Sequence, residues 1–224
     1  MHAPPTAVLV VFCRRPSPGA GKQRLAPRLG AAGALAVAGA LLECALEDAA
    51  AWPGELVLSP EGPASAQWAG RLLTRRCGVE PQPPGNLGAR LNGVDRALRA
   101  RGHGRLLYIG TDAPSLTVPA LLAADAALGR ADVVLAPALD GGVTVMGARV
   151  AWPDLTALPW SEPTLGTALE ECCRRAGCSI AKLPASYDVD EPGDLGSARE
   201  ALALDARPAR RALHDLLSSL VPRS

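Results

Sequence analysis

The chain has 224 residues, 48% of them apolar and 20% charged, which suits one large α/β core and is marginal for two independent ones. Lysine and arginine total 23 against 22 acids, so there is no excess charge to neutralise a phosphate polymer or coat an anionic membrane, and no nucleic-acid partner is expected. The apolar run near the start, residues 6–13, has the length of one buried strand and falls well short of the roughly 20 residues of a membrane helix, so neither a signal peptide nor a span is expected.

In chain order, residues 6–13 (TAVLVVFC) are β-branched and uninterrupted, the pattern of a central strand buried on both faces of a parallel sheet. A Gly/Pro loop follows, then a predicted helix over 31–51, a short strand over 55–59 and a helix over 64–76. A second loop, 80–88, leads to an amphipathic helix over 89–101 with Leu91, Val94 and Leu98 on one face. Residues 105–110 (RLLYIG) form a strand ending at Thr111-Asp112. The pattern continues with a helix over 119–129, a strand over 132–136, the turn Asp140-Gly141-Gly142 and a segment over 143–146 suited to antiparallel pairing. A helix over 164–176, a short strand over 179–183 and two helices between 193 and 220 complete the chain. Strands and helices alternating at this spacing predict a single three-layer α/β/α domain over 1–224 with a mainly parallel, mixed sheet.

The six cysteines (Cys13, Cys44, Cys77, Cys172, Cys173, Cys178) lack metal-ligand or disulfide-framework spacing and read as free thiols of a reducing cytoplasm. The three histidines form no constellation that would supply a catalytic base. The final Leu220-Val221-Pro222-Arg223-Ser224 partly resembles an engineered protease site and carries no functional weight.

Ligands of open α/β sheets gather beyond the carboxyl ends of the strands, and the unusual residues concentrate there. The first strand empties into residues 14–25, which combine tight-turn residues with four cations, Arg14, Arg15, Lys22 and Arg24. Gly19 and Gly21 let backbone N–H groups approach an anion, while Lys22 and Arg24 supply charge for phosphate oxygens. The spacing matches neither a Walker A loop nor the dinucleotide fingerprint, and a solvated basic turn is the competing reading. Asp112 lies just past a strand end, with Ala113-Pro114 stopping the strand. One carboxylate plus substrate phosphates is an ordinary Mg²⁺ arrangement, whereas the cap of the next helix is better supplied by Thr117. Asp188 and Asp190 stand at i and i+2 in an extended stretch, a pair that needs a cation or protein donors. One of them is expected to face the metal, although Asp190 could instead cap the helix from Gly193. Asp140-Gly141-Gly142 reads as a turn passing close to substrate, or as a plain turn. Trp160-Ser161 reads as an apolar wall, or as plain core.

Together these segments resemble a bacterial family of glycosyltransferase-like proteins, the selenodomain-associated transferases, within the GT-A nucleotide-diphospho-sugar transferase fold. The resemblance runs through Arg15-Pro16, Pro18-Gly19, Lys22-x-Arg24-Leu25, Gly85-Asn86-Leu87-Gly88-x-Arg90-Leu91, Ile109-Gly110-Thr111-Asp112-Ala113-Pro114, Asp140-Gly141-Gly142, Trp160-Ser161 and Asp188-Val189-Asp190-x-x-x-Asp194-Leu195. It implies that Lys22 and Arg24, with Arg15, Gly19 and Gly21 of the same loop, hold nucleotide phosphates, and that Asp112 meets a Mg²⁺ or Mn²⁺ ion. It also implies that the 82–88 loop, with Gln82, Gly85, Gly88 and Arg90, helps hold the base, and that Asp188 and Asp190 complete the site. Asp140, Gly141, Gly142, Trp160 and Ser161 would face the acceptor. Three positions depart from the family pattern: Gln23, Ala113 and the pair Val143-Thr144, the last of which bears on the acceptor pocket.

Asp112 stands without the Asp-x-Asp partner of many glycosyltransferases of this fold. The Lys22-x-Arg24-Leu25 motif and the late Asp pair are more similar to sugar nucleotidyltransferases and to phospholactate guanylyltransferases. The expected activity is therefore nucleotidyl transfer from a nucleoside triphosphate to a small metabolite such as a sugar phosphate, releasing pyrophosphate. Glycosyl transfer from a nucleotide-diphospho-sugar, with Asp140 as acceptor-side base, and a non-catalytic nucleotide-binding domain are the alternatives.

Overall fold

The computed structural model describes residues 6–220. The protease-site-like segment therefore lies, from its second residue onward, outside the described residues.

Seven strands make one sheet: β1 (Val8–Cys13), β2 (Leu56–Pro60), β3 (Gly78–Val79), β4 (Leu106–Ile109), β5 (Val133–Pro137), β6 (Val143–Ala148) and β7 (Ile180–Lys182). Their spatial order is β3-β2-β1-β4-β6-β5-β7. Every pairing is parallel except those of β6, which runs antiparallel to β4 and β5. β1 is interior, flanked in parallel register by β2 and β4, as its continuous apolar run requires. Because β6 is reversed, the β5–β6 turn projects from the same edge as the carboxyl ends of the parallel strands. That edge gathers the β1 loop, Asp112, Asp140 and the stretch before the C-terminal helices.

The helices are α1 (Ala26–Ala51), α2 (Ala66–Ala69), α3 (Leu87–Ala100), α4 (Val118–Leu128), α5 (Leu165–Arg175), α6 (Asp194–Leu202) and α7 (Pro208–Leu220). One face of the sheet packs Leu9, Val11, Leu58 and Ile109 against Leu46 of α1, Ala69 of α2 and Leu121 of α4. The other packs Val10, Tyr108 and Leu135 against Leu91, Val94 and Leu98 of α3 and Leu169 of α5. A third cluster joins α6 and α7 to the outer side of α1 through Val37, Leu41, Leu195, Leu213 and Leu217.

Several boundaries differ from those predicted. The helix expected over 64–76 is reduced to a 3-10 turn at Pro63–Ser65 and the four residues of α2. Gly70 ends it, and Arg75 is drawn away to donate to the carbonyls of Ala49, Ala50, Trp52 and Gly54 at the end of α1, so tertiary bonding outweighs local helix propensity. α1 begins five residues early, with a break at Gly30 (φ 71°, ψ 166°) that the pattern did not announce. β3 is two residues long, too short for any periodicity to mark. Thr117 does cap α4, accepting from the Ala120 N–H at 3.2 Å.

By length and composition α1 could cross a membrane, a property the reading of residues 6–13 overlooked. Here it is a core helix: Leu41, Leu42 and Leu46 are buried, and Glu47 and Asp48 meet Arg210 of α7. All six cysteines are free, and burial pushes the thiols of Cys13, Cys44 and Cys173 up to about 12. Those three are packing residues, as far from the thiolate form as small apolar side chains.

Candidate active site

The loop leaving β1 makes a tight turn, with the Ala20 N–H donating to the Ser17 carbonyl at 3.0 Å. Gly19 and Gly21 both take positive φ, 75° and 73°, with open space where a Cβ would stand. Their conformation explains the glycines, and the open space leaves their backbone accessible. Lys22 follows with φ 48°, rare for a residue with a side chain. The strain aims Lys22 inward, where its side chain is only 6% exposed.

There its ammonium meets three oxygens. It donates to Asp190 Oδ1 and to the Val189 carbonyl at 2.5 Å each, and lies 2.9 Å from Asp112 Oδ1. The three N–H donors of the ammonium are thus matched by three acceptors. Burial alone would lower the Lys22 pKa, but Asp112 and Asp190 together outweigh it and the net shift is upward. Lys22 is therefore the counter-ion of Asp112 and Asp190; of the acidic pair predicted from i, i+2 spacing it neutralises Asp190 directly and leaves Asp188 without a paired cation among the described residues.

The segment carrying Asp188 and Asp190 reaches this position by crossing the sheet edge. Ala138, just past β5, pairs in parallel with Ser186. Farther along, the Val189 N–H donates to the Asp112 carbonyl at 2.9 Å, and the Ser115 hydroxyl to the Tyr187 carbonyl at 3.0 Å. Asp194 accepts from the backbone N–H groups of Asp190 (2.9 Å) and Glu191 (2.7 Å), fixing that turn. Asp190 is thus no helix cap: its own carboxylate goes to Lys22, and α6 starts at Gly193 without a side-chain cap. Arg24 pairs with Glu191 at 3.3 Å, both side chains being about 60% exposed (60% and 63%), so this cation stays available to a ligand.

Asp188 is half-buried, and its carboxyl is pushed up to about 6 by burial first, then by Asp140 and Asp190, with Lys22 only partly offsetting them. Four carboxylates thus share this corner. Among the described residues no three acidic, His or Cys side chains are arranged to hold a metal ion, so the trio Asp112, Asp188 and Asp190 is not brought together as a ligand set. Asp112 and Asp190 do converge, with the Lys22 ammonium as the cation between them. Two carboxylates on one cation, open to substrate oxygens and water, is a donor set that fits Mg²⁺.

The remaining predicted residues divide into two groups. Asp140 Oδ1 accepts from the Gly142 N–H at 2.8 Å, an Asx turn closing the β5–β6 hairpin. Gly141 has φ 92°, and a Cβ there would lie 2.0 Å from the Pro163 carbonyl oxygen, so the close approach made here is to the protein's own chain. Similarly, a Cβ on Gly88 would stand 2.1 Å from the Leu155 oxygen and 2.6 Å from the Trp160 indole nitrogen. The Trp160 indole N–H donates to the Leu155 carbonyl at 2.9 Å, which makes it a wall between α3 and the 155–160 stretch, and Ser161 is exposed with φ 71°. Gln82 is buried and donates to the Ser59 carbonyl at 2.7 Å, while Arg90 donates to the Gly85 carbonyl at 2.8 Å. Gln82 thus ties the 82–90 loop to β2, and Arg90 closes it on itself. Arg15 makes no hydrogen bond or ion pair among the described residues and lines a cavity beside α2.

Two residues of this site escaped the sequence reading. Arg210, fully buried on α7, donates to the carbonyls of Pro114 (3.2 Å), Leu116 (3.1 Å) and Cys44 and pairs with Glu47 (2.8 Å) and Asp48. Arg207 donates to the Leu116 carbonyl at 2.9 Å and to Asp48 at 3.1 Å. Between them they clamp the loop that carries Asp112. A signal existed: Arg210 falls on the apolar stripe with Leu213 and Leu217, where a charge must have buried partners.

A family profile described as "Uncharacterized protein conserved in bacteria (DUF2064)" matches residues 41–162, just over half of the chain. No curated protein matches it. Among solved structures, the chain is similar to a candidate nucleotide-diphospho-sugar transferase from Desulfovibrio desulfuricans G20, with 22% identity over 96% of each chain and a TM-score of 0.85. It is also similar to a nucleotidyl transferase from Methanothermobacter thermautotroptrophicus, with 17% identity, TM-score 0.56 and coverage of 88% of this chain and 97% of that one. A CMP:2-keto-3-deoxy-manno-octonic acid synthetase complexed with CTP aligns at 14% identity, TM-score 0.53 and coverage of 88% and 98%. At these identities the likeness establishes the fold, a nucleotide-diphospho-sugar transferase type of α/β sheet.

Proposed function

We propose that this chain, which belongs to the DUF2064 family of bacterial proteins, is a nucleotide-dependent transferase that moves a nucleotidyl group from a nucleoside triphosphate to a small phosphorylated or hydroxylated metabolite. An acceptor oxygen attacks the α-phosphorus, the bond to the β-phosphate oxygen breaks, and pyrophosphate leaves. The observation that carries this reading is the meeting of Lys22, Asp112 and Asp190, from three distant parts of the sequence, at the carboxyl edge of the sheet. The nucleotidyl transferase and CTP-bound synthetase among the similar folds support it.

In this reading the glycine backbone at Gly19 and Gly21 and the exposed Arg24 receive the phosphates, and Lys22 adds positive charge beside them. Asp112 and Asp190 would hold a divalent ion. When bound, that ion supplies charge neutralisation at the phosphate oxygens. No side-chain nucleophile is needed, consistent with the inert thiols. Asp188, half-buried beside Asp140 and Asp190 and with a raised pKa, would serve as the base that takes the acceptor's proton. Free thiols throughout fit a reducing cytoplasm.

Glycosyl transfer from a nucleotide-diphospho-sugar is the second reading, favoured by the fold similarity to the Desulfovibrio protein. One experiment separates the two. The protein is incubated with Mg²⁺, the four nucleoside triphosphates and a set of sugar phosphates, and in parallel with nucleotide-diphospho-sugars and the same acceptors. Pyrophosphate release that needs metal and acceptor is the expected result. Release of a nucleoside diphosphate instead supports glycosyl transfer, and nucleotide binding without either product, unchanged in Asp112→Asn, overturns both.

A further inference from the structure

A cavity of about 280 Å³ opens beside the β1 loop, lined by Arg15, Ala64, Gln67, Trp68, Arg71 and Leu72. Arg15 stands two residues beyond β1, and the other five follow β2: Ala64 in the 3-10 turn, Gln67 and Trp68 in α2, and Arg71 and Leu72 just after it. Because Cys13 and Pro60 are paired in register at the ends of those neighbouring strands, the cavity lies on the same edge as Lys22. It lies toward β2, whereas Asp112 follows β4 on the opposite side of β1.

Its chemistry is one-sided. Two guanidinium groups line it and no acid does. Neither Arg15 nor Arg71 makes a side-chain hydrogen bond or ion pair among the described residues, although adjacent Arg14 is paired with Glu61 at 2.9 Å. The apolar part of the lining is Trp68 and Leu72, both packed on the hydrophobic core and so fixed in place. The Trp68 indole N–H also has no acceptor among the described residues. Guanidinium forks match phosphate and carboxylate oxygens, and an indole beside them gives a ring or short hydrocarbon a dry surface. The volume suits a small metabolite at the lower end of ordinary ligand sites.

We propose that this cavity is an anion-anchoring subsite for the second substrate, a small phosphomonoester or carboxylate carrying a ring or hydrocarbon portion. Its assignment to the second substrate rests on the transferase reading above; its ability to bind such an anion does not. The acceptor's anionic end would be held by Arg15 and Arg71, and its reacting oxygen turned along the sheet edge toward the nucleotide phosphates near Lys22.

Calorimetric titration of the full chain with phenyl phosphate and with benzoate, in Mg²⁺ and a saturating mixture of the four nucleoside triphosphates, tests it. One equivalent of at least one probe binds, and which one binds tells phosphate from carboxylate. Arg71→Gln weakens that binding about tenfold or more, the usual effect of losing a charged hydrogen bond, while Arg130→Gln on the opposite edge leaves it unchanged. The Trp68 indole N–H resonance, identified by its loss in Trp68→Phe, shifts on titration. Binding of neither probe, equal binding by Arg71→Gln, inorganic phosphate binding as tightly as phenyl phosphate, or displacement by the nucleotides would each overturn the subsite. Nucleotide binding is followed in the same samples. Its absence counts against the transferase reading, whereas its presence without probe binding counts against the subsite alone.

Discussion

The ammonium of Lys22 and the carboxylate of Asp190, 168 positions apart in the sequence, lie 2.5 Å from each other, with Asp112 as the second carboxylate on the same cation. A divalent ion held by these two acids would have to share them with that ammonium. Lys22→Met is expected to lower stability by about 2 kcal/mol, as befits a lost charged hydrogen-bond set on partly exposed acids. The same change is expected to tighten Mn²⁺ binding, read by the free-ion paramagnetic resonance signal. Unchanged Mn²⁺ affinity would show that the two acids do not bind metal.

Arg210 is fully buried, and its guanidinium is shared among five acceptors. Arg210→Met leaves Asp48, itself 3% exposed, without its closest cation, and should cost about 3–5 kcal/mol in urea unfolding. The adjoining Ser115 and Leu116 amides should exchange faster with solvent, because the carbonyls of Pro114 and Leu116 lose their clamp. A stability loss with no change in exchange there would confine Arg210 to holding α7 on α1.

The raised pKa of Asp188 gives stability a definite pH slope. Its folded carboxyl, at about 6, binds a proton more tightly than the unfolded chain with its ordinary value of 3.8. The contribution is complete below the unfolded value and is lost as pH rises through the folded one. In metal-free buffer, Asp188→Asn should therefore raise the melting temperature above pH 6 relative to the parent. The gap should close on approaching pH 4, and thermal melts across that range decide it.

Gly141 and Gly196 make a matched pair. Alanine at Gly141 forces a Cβ to within 2.0 Å of the Pro163 oxygen at φ 92°, and should cost at least about 2 kcal/mol. Alanine at Gly196, inside α6 with nothing within 4 Å of the new methyl, should add about 0.5–1 kcal/mol. Denaturation midpoints of the two variants measure both.

The exposed Arg24–Glu191 pair separates stability from binding. Glu191→Gln should change stability by less than about 0.5 kcal/mol. Arg24→Gln should do the same while raising the apparent nucleotide dissociation constant several-fold, measured by calorimetry.

What the sequence made legible follows from how local each signal is. The apolar strands, the reversal at β6 and the gathering of Lys22, Arg24, Asp112, Asp188 and Asp190 at one edge could be read because strand-end position follows from periodicity. The burial of Lys22 could not, since it needs φ 48° and partners far along the chain. The failed 64–76 helix was likewise decided at a distance, by carbonyls at the end of α1 recruiting Arg75. Gly141 reads as passing close to a substrate and Gly88 as part of a base-holding loop, whereas the atoms that crowd them are those of Leu155, Trp160 and Pro163. A glycine in a motif reports close approach and leaves the approaching group unnamed.

The β1 loop follows the first strand, but its lysine waits for a segment made more than 160 residues later. Val189 and Asp190 close a loop of more than 160 residues onto Lys22, and α6 and α7 must dock on α1 to hold them there. The entropy of such a closure grows only slowly with length, so the arrangement costs little in the finished protein. Its effect falls on timing during synthesis. A growing chain can pair β1, β2 and β4 long before this edge is complete, and Lys22 then has Asp112 but lacks Asp190 and the Val189 carbonyl until that later segment docks.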